Sequence, residues 1–255
     1  MAILKKILKY TVVIAFWIAV WQIASMKVDM ELLLPSPRAT VERLFELAKT
    51  REFYDIILQS VRRILIGTIQ ATLLGVALAI VTAKIGFLHD LISPFMTVVK
   101  AVPVASFIVL LLLWMGRDVL PSVISALIVL PIVWTNMETG IRQTDKNLIE
   151  LSKVYKMGFF KRIWHIYMPS ALPYFTSSLS SSLGLAWKAG IAAEVLALPA
   201  IAIGKQISDS KLYLETKDLF AWTLAVIIIS LIIEKLFVFL IKKATSKKIR
   251  IGGSV

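Results

Sequence analysis

Six apolar runs, roughly 7–26, 63–83, 91–114, 119–137, 172–193 and 219–241, each approach the ~20 residues that carry an α-helix across a hydrocarbon core. A segment crossing lipid must satisfy its own backbone polar groups, so runs of this length cross as helices. The remaining composition agrees: 58% hydrophobic residues against 18% charged, with a mean hydropathy of +0.81, leave too little polar surface for one soluble core of 255 residues. The expected fold class is all-α, a polytopic membrane protein with about six transmembrane helices. The first run begins among Lys5, Lys6 and Lys9, as that of a signal peptide could. Its length, Trp17, Trp21 and the lack of a small-x-small cleavage site favour a retained span.

Charge sets the orientation. The amino terminus, the 84–90 turn, the 138–168 loop and the tail after Ile241 hold fifteen Lys/Arg against four acids, whereas 27–63 holds seven against six. The positive-inside rule then places both termini and the 138–168 loop in the cytoplasm of a multi-pass cell-membrane protein. The chain divides into a first transmembrane helix over 1–26, an extracytoplasmic segment with a surface helix over 27–62, a core transmembrane domain over 63–241 that includes the 138–168 loop, and a basic cytoplasmic tail over 242–255. Within the second segment, Thr40 to Ile57 has helical periodicity with mixed charge. The net charge of +13 does not indicate a nucleic-acid partner, because the basic residues flank hydrophobic spans and form no aromatic-interleaved patch. With no cysteine and only His89 and His165, no metal site is expected.

Several runs are imperfect. Pro103, Pro121 and Pro131 fall in or at the edges of spans, where the freed backbone groups need neighbouring helices or a water-lined cavity. Val195 to Gly204 is too short to cross and is expected to be re-entrant or at the surface. Lys100, just before Pro103, is a candidate for meeting an anionic solute, or it snorkels to headgroups. Ser178, Ser181 and Ser182 sit in a serine-rich fifth span, where such residues either let helices approach or line a polar route. Lys188 and Glu194 pair elsewhere, snorkel or face water; six residues apart on a helix they do not share a face. Lys100, Pro103, Ser178, Ser181, Ser182, Lys188 and Glu194 are the candidates for a translocation pathway.

The 138–168 loop carries the most specific pattern. Leu148, Leu151, Val154 and Tyr155 recur at helical spacing, while Glu150, Lys153 and Lys156 take the other face. Gly158 then turns the chain into Phe159, Phe160, Lys161 and Arg162. Two coverings suit exposed aromatics on a basic loop: a docked protein or anionic lipid.

The motif Glu150-Leu-Ser with a following glycine, then Met168-Pro169 and Leu172-Pro173, resembles the cytoplasmic loop of binding-protein-dependent ABC importer permeases. Leu34-Pro-Ser-Pro37, Ser60-Val-Arg-Arg-Ile-Leu-Ile-Gly67, Ala101-Val-Pro103, Leu113-Trp-Met-Gly116 and Gly184 to Glu194 are similar to the nitrate/sulfonate/taurine branch, over about residues 30 to 240. One position departs: counting back from Pro169, the family's usual glycine falls at Lys156, and Gly158 comes two residues later. The resemblance implies a type I ABC importer permease-like fold that forms a homodimer, docks two ATP-binding cassette subunits and receives its cargo from an extracytoplasmic substrate-binding protein. It implies ATPase-coupling roles for Glu150, Tyr155, Lys156, Gly158, Phe159, Phe160, Lys161 and Pro169. ATP would bind the partner subunit and no cofactor this chain, which has no Gly-rich phosphate loop. The implied cargo is a small polar or anionic organic molecule, although the branch also includes importers of vitamin-precursor-like heterocycles.

Two other functions compete. An intramembrane enzyme needs a nucleophile and base, or paired acids, at one depth, and no span brings such a set together. A stand-alone secondary transporter or channel needs no ATPase and would often show inverted internal repeats, which are not evident.

Overall fold

A computed structural model describes residues 2–252, with side-chain surroundings for 8–237 and 239. The side chains of the basic tail 242–255 therefore lie outside the described residues. Helix α1 (Ala2–Val28) stands largely free of the bundle, as a lipid-facing helix does, and is tied down near its far end. There the Trp21 indole donates to the Pro35 carbonyl at 3.1 Å and Ser25 Oγ to the Leu34 carbonyl at 2.9 Å. Ser36 caps α2 (Pro37–Ala48), its hydroxyl accepting from the Ala39 amide, with Pro37 in the first turn where its missing N–H costs nothing.

Helix α3 (Arg51–Lys84) begins earlier than the apolar run suggests. The periodic stretch expected as one surface helix over 40–57 is divided at Lys49–Thr50, because the Thr50 hydroxyl accepts from the Phe53 amide at 3.3 Å and starts a new helix. At 34 residues, α3 is about 50 Å long, so it runs through position 62/63 and projects beyond the bilayer. Arg43 of α2 grips Asp218 with two hydrogen bonds, Nε to Oδ1 at 2.5 Å and Nη2 to Oδ2 at 2.9 Å. Asp218 first, then Glu46, raises the Arg43 pKa and holds the guanidinium charged.

The expected third span, 91–114, is not one straight helix. Helices α4 (Gly86–Ala101) and α5 (Val104–Leu111) meet at a bend of 100°. Pro103 has no N–H to continue the ladder and its ring drives Val102 out of the helical region, to φ −74° and ψ 131°. Helix α6 (Leu120–Arg142) returns through the bundle centre. After it come the short α7 (Lys146–Val154) and α8 (Phe159–Arg162), a π-helical turn over Ile163–Tyr167, and α9 (Met168–Ala197). The widened turn immediately precedes Met168–Pro169, where the proline removes one backbone donor and its ring crowds the preceding carbonyls. Helices α10 (Ile203–Leu212) and α11 (Thr216–Gly252) complete the chain.

Among the described residues, four segments are long and apolar enough to cross a membrane, Leu8–Val28, Arg51–Lys84, Leu120–Arg142 and Thr216–Phe237, and the bent α4–α5 pair reaches that length and apolarity when its two helices are taken together, as a broken span or a re-entrant loop. The remaining expected crossing, 172–193, lies in α9, whose 30 residues span about 45 Å and whose serines lower its apolarity. That helix sits in the interior. Its Gly190 faces Ile64 of α3 and Ser125 of α6 so closely that an added Cβ would lie 2.5 Å from Ile64 Cγ1. Gly67 of α3 presses harder still on the α6 backbone: a Cβ there would fall 1.9 Å from the Ser122 carbonyl oxygen. Small residues let α3, α6 and α9 close on one another without a water-driven hydrophobic effect. Val129, Val133, Trp134 and Ala186 fill the centre of the resulting core.

Candidate functional site

Three groups of side chains stand out from the packing. The first is the loop from Asp145 to Tyr167. Asp145 caps α7, accepting from the Asn147 amide at 2.8 Å, and the helix ends in a Schellman turn: the Met157 amide donates to the Ser152 carbonyl and the Lys156 amide to the Lys153 carbonyl, both at 2.9 Å. That turn requires a left-handed residue, and Lys156 occupies it with φ 47°. Ser152 is buried, fixing the inner side of α7. The outward residues are apolar: Val154 is 77% exposed, Tyr155 74% and Phe160 84%. Phe159 and Phe160 meet edge to face at 5.7 Å, and Lys84, at the end of α3, places its ammonium 4.7 Å from the Phe159 ring centre. The first transverse aromatic is thus anchored to the long helix α3 through a cation–π contact, while the second projects freely. A hydrophobic ridge ringed by Lys153, Lys156 and Lys161 can bury itself in a complementary groove and transmit displacement to α9, with which it is continuous.

The second group lies at the opposite end of the bundle. Glu194, on α9, has no exposed surface. Its Oε2 accepts from Ser60 Oγ at 2.8 Å and from the Gly204 amide at 3.1 Å, while the Ile203 amide donates to Ser60 Oγ at 3.0 Å. Oε1 has no hydrogen bond, and the Arg63 guanidinium stands 3.7 Å from it. Arg63 instead donates to the Ile201 carbonyl at 2.6 Å and to Asp118 Oδ1 at 2.7 Å. Leu198, in the left-handed region at φ 54°, ends α9 and turns the chain so that the start of α10 comes back onto Glu194. A Cβ on Gly204 would be 2.4 Å from the Glu194 Cβ and from the Val195 amide nitrogen, so glycine is what permits that return. This polar knot joins α3, α9, α10 and the approach to α6.

The third is a cleft of about 210 Å³ between α4 and α6. His89, placed by sequence in a cytoplasmic loop, is instead in α4 and turns inward. Its Nδ1 bonds the buried Glu138 carboxylate at 2.8 and 3.0 Å. Arg142 Nε donates to the same carboxylate at 2.9 Å. The Trp134 indole stacks with His89 at 5.6 Å and donates to Thr82 Oγ1 at 3.0 Å. At the other end of the cleft the Lys100 ammonium donates to Thr135 Oγ1 at 2.9 Å.

The structure brings together the residues expected on the loop and disperses those expected on a pathway. Glu150, Tyr155, Lys156, Gly158, Phe159, Phe160 and Lys161 are all exposed along the loop, with Pro169 exposed where α9 begins. Gly158 has φ −62° and ψ 156° and no neighbour within 4 Å of an added Cβ, so the special conformation belongs to Lys156 instead. Lys100 and Pro103 flank the α4–α5 break. Ser178 and Ser182 are buried, and Ser178, Ser181 and Ser182 all donate to carbonyls of their own helix, three residues back. Lys188 is exposed while Glu194 is enclosed, and among the described residues no ion pair joins them. Ser60, Arg63, Asp118 and Glu138 were not singled out from sequence as site residues. An Arg or Glu at the edge of an apolar run is the available signal for Arg63 and Glu138; Ser60 offers none.

Residues 71–251 match the family model of binding-protein-dependent transport system inner membrane components. The chain is 26% identical over 247 residues to the nitrate import permease protein of Synechocystis sp., covering 92% of this chain and 88% of that one. It is 27% identical over 206 residues to a putative aliphatic sulfonates transport permease protein of Bacillus subtilis, covering 80% and 74%, and 22% identical over 221 residues to the taurine transport system permease protein of Escherichia coli, covering 84% and 80%. In three dimensions it is similar to a chain from the crystal structure of an amino acid ABC transporter with histidines, with a TM-score of 0.56, 14% identity, and coverage of 75% of this chain and 93% of that one.

Proposed function

The chain belongs to the family of binding-protein-dependent transport system inner membrane components, and from that premise we propose how this ABC importer permease is assembled and driven. Two copies form a homodimer, and the 145–167 loop of each lies in a groove of an ATP-binding cassette subunit. An extracytoplasmic substrate-binding protein delivers a small polar or anionic organic solute to the far face. Both termini lie in the cytoplasm. ATP is bound and hydrolysed by the partner subunits, whose closure moves the two loops together. Because α8, the π turn and α9 form one unbroken helical run, that movement tilts α9 within the bundle.

The observation that supports this most is the exposed apolar ridge of Val154, Tyr155 and Phe160, of which Phe160 lies on the helical run continuous with the interior helix α9. A lipid-resting helix would need no rigid connection to α9; a force-receiving one does. Membership of this family also leaves the secondary transporter or channel without support. The direct test is purification of the native assembly. Recovery of an ATPase subunit in equal number with this chain, with solute uptake that stops when ATP is withheld, is the expected result. Uptake undiminished without ATP and without any ATPase attached would overturn it.

A further inference from the structure

The α4–α6 cleft is lined by an exposed cation, Lys100, that has no carboxylate partner among the described residues. Lys100 is the penultimate residue of α4, just before the 100° break at Val102–Pro103, and its ammonium has three protons, of which Thr135 takes one. The Thr135 hydroxyl proton goes to the Pro131 carbonyl at 2.7 Å, so the lysine meets a neutral acceptor there. Glu138 is the one acid lining the cleft, and His89 and Arg142 already occupy its carboxylate. Among the described residues, Lys100 has no carboxylate within ion-pair distance. The carbonyl end of α4 offsets about half a charge at most. An ammonium in a span is costly unless something compensates it, and the cleft volume of about 210 Å³ is below the range that holds drug-sized ligands.

We propose that this cleft is a transit site for a small solute bearing an oxyanion group, with the Lys100 ammonium as its electrostatic anchor beside the Pro103 break. It rests on the importer reading and adds to it where, and by which group, an anionic cargo is held inside the permease. Arg142 and His89 bond the Glu138 carboxylate and shape the inner wall; Lys100 is the cleft cation with no carboxylate partner among the described residues. Binding there is weak by construction, because a single charge and a few hydroxyls hold the solute without enclosing it, as a site that must release its cargo requires.

The chain has no cysteine, so one introduced thiol reports on the cleft directly. Thr97, which lines the cleft and is exposed, is replaced in the variant Thr97→Cys. The full chain with its ATPase, in phosphatidylcholine nanodiscs, is treated with 2-sulfonatoethyl methanethiosulfonate or its trimethylammonium analogue, with and without ATP plus vanadate. Modification is read from the mass of this subunit. After correction for free-thiol rates, the anionic reagent should react about tenfold faster than the cationic one. Adding Lys100→Gln should remove that preference, Lys100→Arg should keep it, and soluble ethanesulfonate should slow the reaction. An unchanged rate ratio in Lys100→Gln overturns the proposal, as does lack of reaction in both nucleotide states. Protection by phosphatidylglycerol in the nanodisc but not by ethanesulfonate assigns the charge to a lipid headgroup and also overturns it. Should no ATPase accompany the chain, the importer reading fails separately, and the rate ratio remains measurable on the permease alone.

Discussion

Ser60 Oγ donates to Glu194 Oε2 at 2.8 Å across 134 residues of sequence, and the same oxygen accepts from the Ile203 amide. One hydroxyl therefore holds α3, α9 and α10 together. Removing it in Ser60→Ala leaves a buried amide without its acceptor and weakens the hold on a carboxylate, which costs about 1–3 kcal/mol. Glu194→Ala should cost more, because the Gly204 amide also loses its partner and Arg63 its nearest buried counter-charge. Glu194→Gln, with an acceptor oxygen in place, should keep most of the stability. Melting temperature in detergent is the measurement, and a Glu194→Ala protein as stable as the parent would refute the account.

The turn that ends α7 carries its strain in Lys156. A left-handed conformation costs a non-glycine residue about 1–2 kcal/mol, and Lys156 adopts it to complete the Schellman turn. Lys156→Gly relieves that cost while loosening the unfolded chain, so the net gain should be under about 1 kcal/mol. Lys156→Val should weaken the turn and expose the loop to limited proteolysis. Gly158→Ala should change neither, because its backbone is extended and its surroundings are open. The double variant Lys156→Gly, Gly158→Ala should retain the ATPase through purification as the parent does. Loss of the ATPase from the double variant alone would mean that Gly158 is required for something the fold does not display.

Periodic and local features of this chain are readable from sequence, while pairings across it are not. Apolar runs mark the helices because lipid demands length and satisfied backbones, and Pro103 marks a break because of its chemistry. Even the misplaced glycine was visible, since counting from Pro169 leads to Lys156, where the turn does need a left-handed residue. The start of α3 was missed because its signal is a single cap, Thr50, inside a periodic charged stretch. A carboxylate in an apolar helix marks Glu194 as a pathway candidate by its type alone; its partners, Ser60 and the Gly204 amide of the next helix, are ones that no spacing rule connects. The six-residue separation of Lys188 and Glu194 did correctly put them on different faces, one open and one enclosed.

Gly67 sets the contact between α3 and α6. A methyl group there would enter the Ser122 carbonyl, which is backbone and cannot rotate away, and Ser122 Oγ is already bonded to the Arg63 carbonyl at 2.8 Å. Gly67→Ala should therefore force the helices apart at a cost of about 3 kcal/mol, seen as poor recovery from the membrane and a lower melting temperature. Gly184→Ala on α9, where nothing lies within 4 Å of the new carbon, is the control and should be neutral. Equal stability of the two variants would contradict the packing described for α3 and α6.

Phe160 and Phe159 are adjacent, yet they should fail differently. Phe160 is 84% exposed and packs edge to face on Phe159, so Phe160→Asp should leave the isolated permease intact while placing a charge where the proposed ATPase groove closes. Burying an unpaired carboxylate in such a groove costs several kcal/mol, enough to lower ATPase retention more than a hundredfold. Phe159→Leu removes the ring over which Lys84 sits but keeps the apolar surface. It should retain the ATPase while weakening the link from the loop to α3, so that ATP hydrolysis continues with less solute moved per ATP. Copurification and the ratio of uptake to hydrolysis in reconstituted vesicles separate the two effects. Normal uptake by Phe160→Asp would show that force enters the permease somewhere other than this ridge.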